Sequence, residues 1–237
     1  MFSSKDSVVI VSAKRSAIGS FCGSLSTLPA HEIGSEVIKD IIKKTAIDAS
    51  EIDEVILGQV LTAGQGQNPA RQAAIKAGVP VEKTALGINQ VCGAGLRAVA
   101  MGMQQLSMGD ANVIIAGGQE SMSLSHHASN MRNATKMGNT EFIDTMIKDG
   151  LWDAFHGYHM GVTAENVAKK FNISREEQDV FAVNSQNKAE KAKSFGNFIE
   201  EITPVSTIIK KSEIFVDEDE YIRDGATLAS LHKLNPA

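Results

Sequence analysis

Cys92 is where this chain can do covalent chemistry. It sits in Ile88-Asn89-Gln90-Val91-Cys92-Gly93-Ala94-Gly95-Leu96-Arg97, where a short apolar stretch ends and an amphipathic helix begins. Leu96, Val99, Ala100, Met103 and Leu106 recur at the spacing of a helix with one buried face. A thiol at such a helix start meets unpaired backbone N–H groups and the positive end of the helix dipole, which favour the thiolate. Gly93 and Gly95 leave room for an acyl group to approach the backbone. A free cysteine is often just a small buried residue, but this strand-to-helix setting favours a nucleophile.

The elements that must hold Cys92 read as an α/β layer structure. Val8–Val11, Glu54–Val60 and Asn112–Ala116 are short, rich in Val and Ile, and bounded by polar or glycine residues, as expected of buried strands. Between them, residues 30–44 carry Ile33, Val37, Ile38, Ile41 and Ile42 on one helical face, and a further helix opens at Pro69. Strands alternating with helices predict a parallel or mixed sheet covered on its faces. After Gly117-Gly118, Ser121–Thr140 has no clean period and reads as an extended loop excursion.

Helical patterns resume near Phe142, Gly161 and Ser174, the last as a capping box with Glu177 that opens a long helix toward Lys193. Two β-like runs, Val205–Ile209 and Ile214–Val216, flank Lys210-Lys211, and Ala226–Leu234 is expected to form a final helical turn or two. The acidic run Asp217-Glu218-Asp219-Glu220 reads most simply as a solvated loop.

Composition narrows the function. With 237 residues and 43% hydrophobic content, the chain can bury one large core or two smaller ones. Twenty-three basic against 28 acidic residues give a net charge of -5 without a basic block, so neither nucleic acid nor a membrane surface is an expected partner. Cys22 and Cys92 form neither a metal-ligand spacing nor a disulfide framework, which fits a reducing compartment. The start, Met1 to Asp6 followed by Val8–Val11, lacks the length of a secretion signal, and no segment is long enough to span a bilayer, so a cytoplasmic location is expected.

Five segments in order carry a family resemblance: Gly66-Gln67-Asn68-Pro69-Ala70-Arg71-Gln72, Asn89 to Arg97, Gly117-Gly118-Gln119-Glu120-Ser121-Met122-Ser123, Gly157-Tyr158-His159-Met160-Gly161, and Ala164-Glu165-Asn166-Val167-Ala168. Together they resemble the thiolase family, in its acetyl-CoA acetyltransferase branch. The resemblance implies a thiolase-like N-terminal α/β domain over residues 1–120, a mixed sheet covered by helices, with an inserted, mainly helical loop domain over 121–237. It also implies that the C-terminal thiolase domain is absent. That domain supplies a Gly-His-Pro histidine and a Cys-x-Gly cysteine, and neither motif occurs here. A truncated enzyme, one piece of a split enzyme and a cleavage product all remain open, and each leaves the isolated chain incomplete for catalysis.

Carried over residue by residue, the resemblance makes Cys92 the nucleophile that forms an S-acetyl enzyme. Leu151, His159, Met160, Arg223 and Ser230 fall where relatives touch coenzyme A or the acyl group. Without it, His159 reads as a hydrogen-bonded structural residue, Leu151 and Met160 as core, and Arg223 as a rim charge. Ala94 stands where relatives commonly carry Ser, and Gln119 where Met is common. Acetyl-CoA and acetoacetyl-CoA are the implied substrates, with no cofactor and no metal. A homodimer or homotetramer is implied, with Ser121–Gly138 at the tetramer contact, as is a companion chain if the enzyme is split. A long-chain 3-ketoacyl-CoA thiolase and a non-catalytic CoA-binding or assembly module are the alternatives.

Overall fold

In chain order the elements of the computed structural model are β1 (Arg15–Ser16), α1 (Ala30–Thr45), β2 (Glu54–Gly58), α2 (Pro69–Lys76), β3 (Thr84–Ile88), α3 (Ala94–Met108) and β4 (Ile114–Gly118). Then come β5 (His127–Ala128), β6 (Ile143–Asp144), α4 (Met160–Phe171), α5 (Arg175–Ser194), β7 (Ile202–Thr203), β8 (Val205–Ile209), β9 (Ser212–Val216) and α6 (Leu228–Leu231). The structure describes residues 7–133 and 135–237; Met1 to Asp6 and Ala134 lie outside it.

A parallel sheet in the order β3-β2-β4 positions everything else, with Glu54 opposite both Thr84 and Ile114. Parallel strands need helical crossovers, and the two crossovers here take opposite faces. On one face α1 and α2 pack together, and Ile38, Val55, Leu57, Ala70, Ala73, Ala74 and Ile115 close a core. On the other lies α3, with the backbone at Gly102 against Ile114 and Ala116. β3 is the short apolar stretch that leads to the strand-to-helix turn at Cys92; Thr84-Ala85-Leu86-Gly87-Ile88 has neither β-branched density nor strict alternation, so its place before the helix, and not its composition, marks it in the sequence.

α3 lies the other way round from the expected stripe. Its buried residues are Ala94, Ala98 and Gly102, while Leu96 is 78% exposed and Val99 and Met103 also face outward. Small residues four apart let the helix axis come close to the strands, so the face with least side chain does the packing. The large apolar residues cover the opposite face, and the helix is apolar on both sides.

Val8–Val11 also departs from expectation. The four residues form no strand and are 39–78% exposed. A strand is stable only when its N–H and C=O groups find a ladder partner, and among the described residues none pairs with this segment. The β4 strand begins two residues later than expected, at Ile114, and its outer edge is likewise unpaired among the described residues.

The second part of the chain follows its sequence signals at α5 and in the runs around Lys210-Lys211, and departs from them near Phe142 and in the acidic run. Ser174 caps α5 in a full capping box with Glu177, and the two β-like runs become β8 and β9, paired as a hairpin around Lys210 and Lys211. Those two lysines have φ of 49° and 69°, the paired left-handed conformation of a tight hairpin turn. The pattern near Phe142 becomes a short β6 strand and a single wide turn over Met146–Leu151 instead of a regular helix. The acidic run is not simply solvated. Asp219 pairs with Arg15, and Glu220 accepts from the backbone N–H groups of Ser20 and Ser24. With β1 pairing β7 and a core of Ala17, Leu25, Ile202, Val205 and Val216, these contacts fasten residues 200–220 to the N-terminal segment.

Candidate active site

Cys92 follows β3 at the carboxyl end of the parallel sheet, where the chain turns to cross β2 and reach β4. In open α/β sheets that reversal of direction is where ligands bind. The turn is tight. Val91 has φ of 48°, a left-handed conformation costly for a β-branched residue, and Asn89 holds it by accepting the Val91 N–H on Oδ1 at 2.8 Å. Gly93 donates to the Gln90 carbonyl and Ala94 to that of Val91, each at 3.1 Å. Cys92 therefore stands exposed on a strained elbow, immediately before Gly93, the N-cap of α3. Gly93 has no side chain to cap the helix, so the positive end of α3 is left to an anionic thiolate or a developing oxyanion.

Glycine sets how close this elbow lies to the sheet. A Cβ on Gly58 would come within 2.4 Å of the Ala94 carbonyl carbon and 2.6 Å of the Gly95 nitrogen, while one on Gly118 would be 3.2 Å from the Gly95 Cα. The first turn of α3 thus rests directly on the ends of β2 and β4. Glu120 completes the platform: its carboxylate accepts the Val60 and Leu61 N–H groups at 2.9 and 3.2 Å and that of Ser121 at 3.2 Å. Behind it, the buried Gln119 amide donates to Gln59 Oε1 at 2.9 Å. Sequence reading gave neither Asn89 nor Glu120 a role. The available signal was an Asn three residues before the nucleophile and an acid just past a Gly-Gly strand end.

A cavity of about 430 Å³ opens beside the elbow, lined by Gln59, Thr62, Asn68 at the start of α2, and Gly87, Ile88 and Asn89. Asn68 caps α2 by accepting the Arg71 N–H and reaches back to donate to the Ala85 carbonyl.

The five expected coenzyme A contacts fall in the second part of the chain. His159 is the N-cap of α4, where its Nδ1 accepts the Gly161 N–H at 3.0 Å. That bond places the ring proton on Nε2, leaving an exposed donor. Met160 follows at the first helical position, 37% exposed. Leu151 ends the wide turn before Trp152, which bridges to His159, so these three residues share one hairpin. Asp153 braces that hairpin. Amide bonds from His156 and Phe155 outweigh a small desolvation effect and hold its carboxyl below the usual range.

Arg223 is exposed, and its backbone N–H donates to Gln186 of α5. The Ser230 hydroxyl donates to the Thr227 carbonyl and accepts the Thr227 N–H, so it closes a capping box of α6. Arg175 ties α6 to α5 through the Leu231 and Leu234 carbonyls, and the Ala237 N–H reaches Glu165 on α4. Among the described residues, no hydrogen bond joins the Cys92 elbow to residues 145–237. The two groups of expected site residues are built separately.

The comparisons with known proteins decide the family. Residues 8–237 match the model described as thiolase, N-terminal domain. The chain belongs to the thiolase family. It is 60% identical over 234 residues to acetyl-CoA acetyltransferase of Rhizobium meliloti, covering 99% of this chain and 60% of that protein. With the cytosolic acetyl-CoA acetyltransferase of Rattus norvegicus it shares 48% identity over 236 residues, covering 100% and 59%. The crystal structure of Bacillus anthracis acetyl-CoA acetyltransferase superimposes with a TM-score of 0.93 at 35% identity, over 97% of this chain and 58% of that one. This thiolase segment therefore spans about three-fifths of the length of the relatives it matches. The expected α/β thiolase fold is confirmed, and no helix among the described residues is long and apolar enough to cross a membrane.

Proposed function

We propose that the chain is the nucleophile-bearing segment of an acetyl-CoA acetyltransferase, with residues 1–120 supplying the nucleophile and 121–237 much of the coenzyme A surface. The observation that carries this is Cys92 on its strained elbow at the uncapped start of α3, in a chain 60% identical to an enzyme of that name. The Cys92 thiolate attacks the acetyl thioester carbonyl. As the tetrahedral oxyanion collapses, the carbon–sulfur bond to coenzyme A breaks, CoA leaves as a thiolate that takes up a proton, and Cys92 carries the acetyl group. A thiolate suits this exchange because it is both a strong nucleophile and a good leaving group. The α-carbanion of a second acetyl-CoA then attacks the S-acetyl carbon, forming acetoacetyl-CoA and restoring the Cys92 thiolate.

His159, through its exposed Nε2–H, is proposed to donate to the bound thioester, with Leu151 and Met160 beside it. Arg223 and Ser230 are proposed to contact coenzyme A, Ser230 only if its hydroxyl leaves the Thr227 carbonyl. The thiolase resemblance assigns proton removal from Cys92 and from the second acetyl-CoA to the Gly-His-Pro and Cys-x-Gly motifs. The complete reaction therefore needs polypeptide carrying them, in a homodimer or homotetramer of the cytoplasm.

The reading is tested by incubating the protein with acetyl-CoA, with and without a polypeptide bearing those motifs, and mapping acetylated peptides by mass. Acetyl groups on Cys92 are expected. Label mainly on Cys22, or none on Cys92 in the assembled enzyme, overturns the assignment.

A further inference from the structure

Within residues 88–97 a single side-chain hydrogen bond is made, from the Val91 N–H to Asn89 Oδ1 at 2.8 Å. It falls on the residue that least suits its own conformation. The Gly93 N–H closes a four-residue turn on the Gln90 carbonyl, and Val91 is the first of its two central residues, at φ of 48°. Positive φ at that position is ordinarily left to Gly, Asn or Asp. A type I turn closed by the same backbone bond would put Val91 at about −60°, where a β-branched residue is at ease. The closing bond therefore does not choose between the two conformations.

Burial does not choose either. Val91 is 49% exposed, and Asn89 and Cys92 are exposed as well. Were the Val91 N–H left to water, solvent would serve the right-handed conformation as well as the left-handed one. Asn89 does not. A side-chain oxygen that accepts from the backbone two residues on makes an Asx turn, which fixes the direction of that N–H and with it the peptide plane entering Val91. The choice reaches Cys92, the other central residue of the turn. A change at Val91 re-aims Cys92 against the first turn of α3, which Gly58 and Gly118 seat on the sheet.

We propose that Asn89 is a positioning residue for the nucleophile: its Oδ1 latches Val91 in the left-handed conformation and so keeps the Cys92 thiol presented at the start of α3. Asn89 acts through the backbone of the turn and not on the substrate. Strain of this kind persists only where the surroundings over-determine it, and here the Asn89 side chain supplies the determining bond. The proposal rests on Cys92 being the nucleophile of the acyl transfer proposed above, but its main readout, alkylation of the thiol, does not require that transfer to occur.

The test follows alkylation of Cys92 by iodoacetamide, mapped by peptide mass with Cys22 as the internal reference. Asn89→Ala is expected to slow Cys92 alkylation about tenfold relative to Cys22 and to speed hydrogen exchange of the Val91 amide by about as much. Asn89→Ser keeps a neutral acceptor for the same bond and is expected to recover most of the alkylation rate. Glycine adopts positive φ without strain, so in a Val91→Gly background the further change Asn89→Ala is expected to slow alkylation by less than about threefold. An unchanged rate in Asn89→Ala, a rate that Asn89→Ser does not recover, or the same tenfold loss in both Val91 backgrounds each overturns the proposal. A fall in melting temperature that Asn89→Ser leaves unrepaired assigns Asn89 to stability and overturns it too. Acetylation of Cys92 in the assembled enzyme is a separate readout, in which Asn89→Ala is expected to lower the rate at saturating acetyl-CoA and leave the half-saturating concentration little changed. The expected alkylation pattern without any acetylation of Cys92 leaves the latch standing and counts against the proposed reaction, whereas acetylation of Asn89→Ala at the wild-type rate overturns the latch and leaves the reaction standing.

Discussion

Arg15 and Asp219, 204 positions apart, are joined at two points, Nη1 to Oδ1 at 2.7 Å and Nη2 to Oδ2 at 2.9 Å. Burial pushes the Asp219 carboxyl upward, but the Arg15 hydrogen bond, the Ile18 amide and the Arg15 charge together outweigh it and hold the group below the usual carboxylate range. Next to it, the hydrogen bond to Ser24 leads the contacts that lower Glu220. A carboxyl whose folded value is depressed stabilises the fold above its unfolded pKa and loses that contribution as pH falls through the folded value. The melting temperature is therefore expected to fall as pH drops below about 4, with Asp219→Asn flattening the dependence. At neutral pH the substitution removes a charge-assisted pair from a mostly buried position and is expected to cost about 1.5–3 kcal/mol. A flat acid limb in the wild-type chain, measured by thermal unfolding across pH, would count against this account.

Gly58 is expected to be the most sensitive glycine of the sheet. Its Cβ would meet backbone of the first turn of α3 at 2.4–2.6 Å, whereas one on Gly117 would find nothing within 4 Å. Gly58→Ala should destabilise the fold by roughly 1–3 kcal/mol through overpacking and slow alkylation of Cys92 by displacing its helix. Gly117→Ala should do neither. Equal effects of the two substitutions on denaturant midpoint and alkylation rate would show that the contact at Gly58 does not set the elbow.

How much of this was legible beforehand depends on what each element packs against. α1, α2 and α5 follow from period, proline and capping signals, because those forces act within the element. The face of α3 does not. Leu96, Val99 and Met103 look like the buried stripe, yet contact with the sheet goes to Ala94, Ala98 and Gly102, since distance of approach outweighs side-chain size there. Val8–Val11 reads as a strand by composition and lacks a neighbour to make it one. Cys92 was legible because glycines and a helix start surround it locally. Asp219 was not, because its partner is remote in sequence.

Val91→Gly should stabilise the chain. At φ of 48° and 49% exposed, Val91 bears backbone strain with little burial to lose. Relief of the left-handed conformation, less the added freedom of glycine in the unfolded chain, leaves a gain of roughly 0.5–1.5 kcal/mol. The same change should loosen the elbow and slow Cys92 acetylation. A lower unfolding midpoint would indicate that the strain at Val91 is smaller than the packing it provides.

His159 combines two jobs that substitution can separate. Its Nδ1 caps α4 and its Nε2–H faces outward. His159→Ala removes both, and loss of the cap is expected to cost about 0.5–2 kcal/mol. Asn is a strong N-cap residue, so His159→Asn should restore most of that stability while still lacking the imidazole donor. If Nε2–H bonds the thioester in the transition state, both variants should acetylate Cys92 about 10–100-fold more slowly in the assembled enzyme, a loss of roughly 1.4–2.8 kcal/mol. Recovery of the acetylation rate together with stability in His159→Asn would instead confine His159 to holding α4.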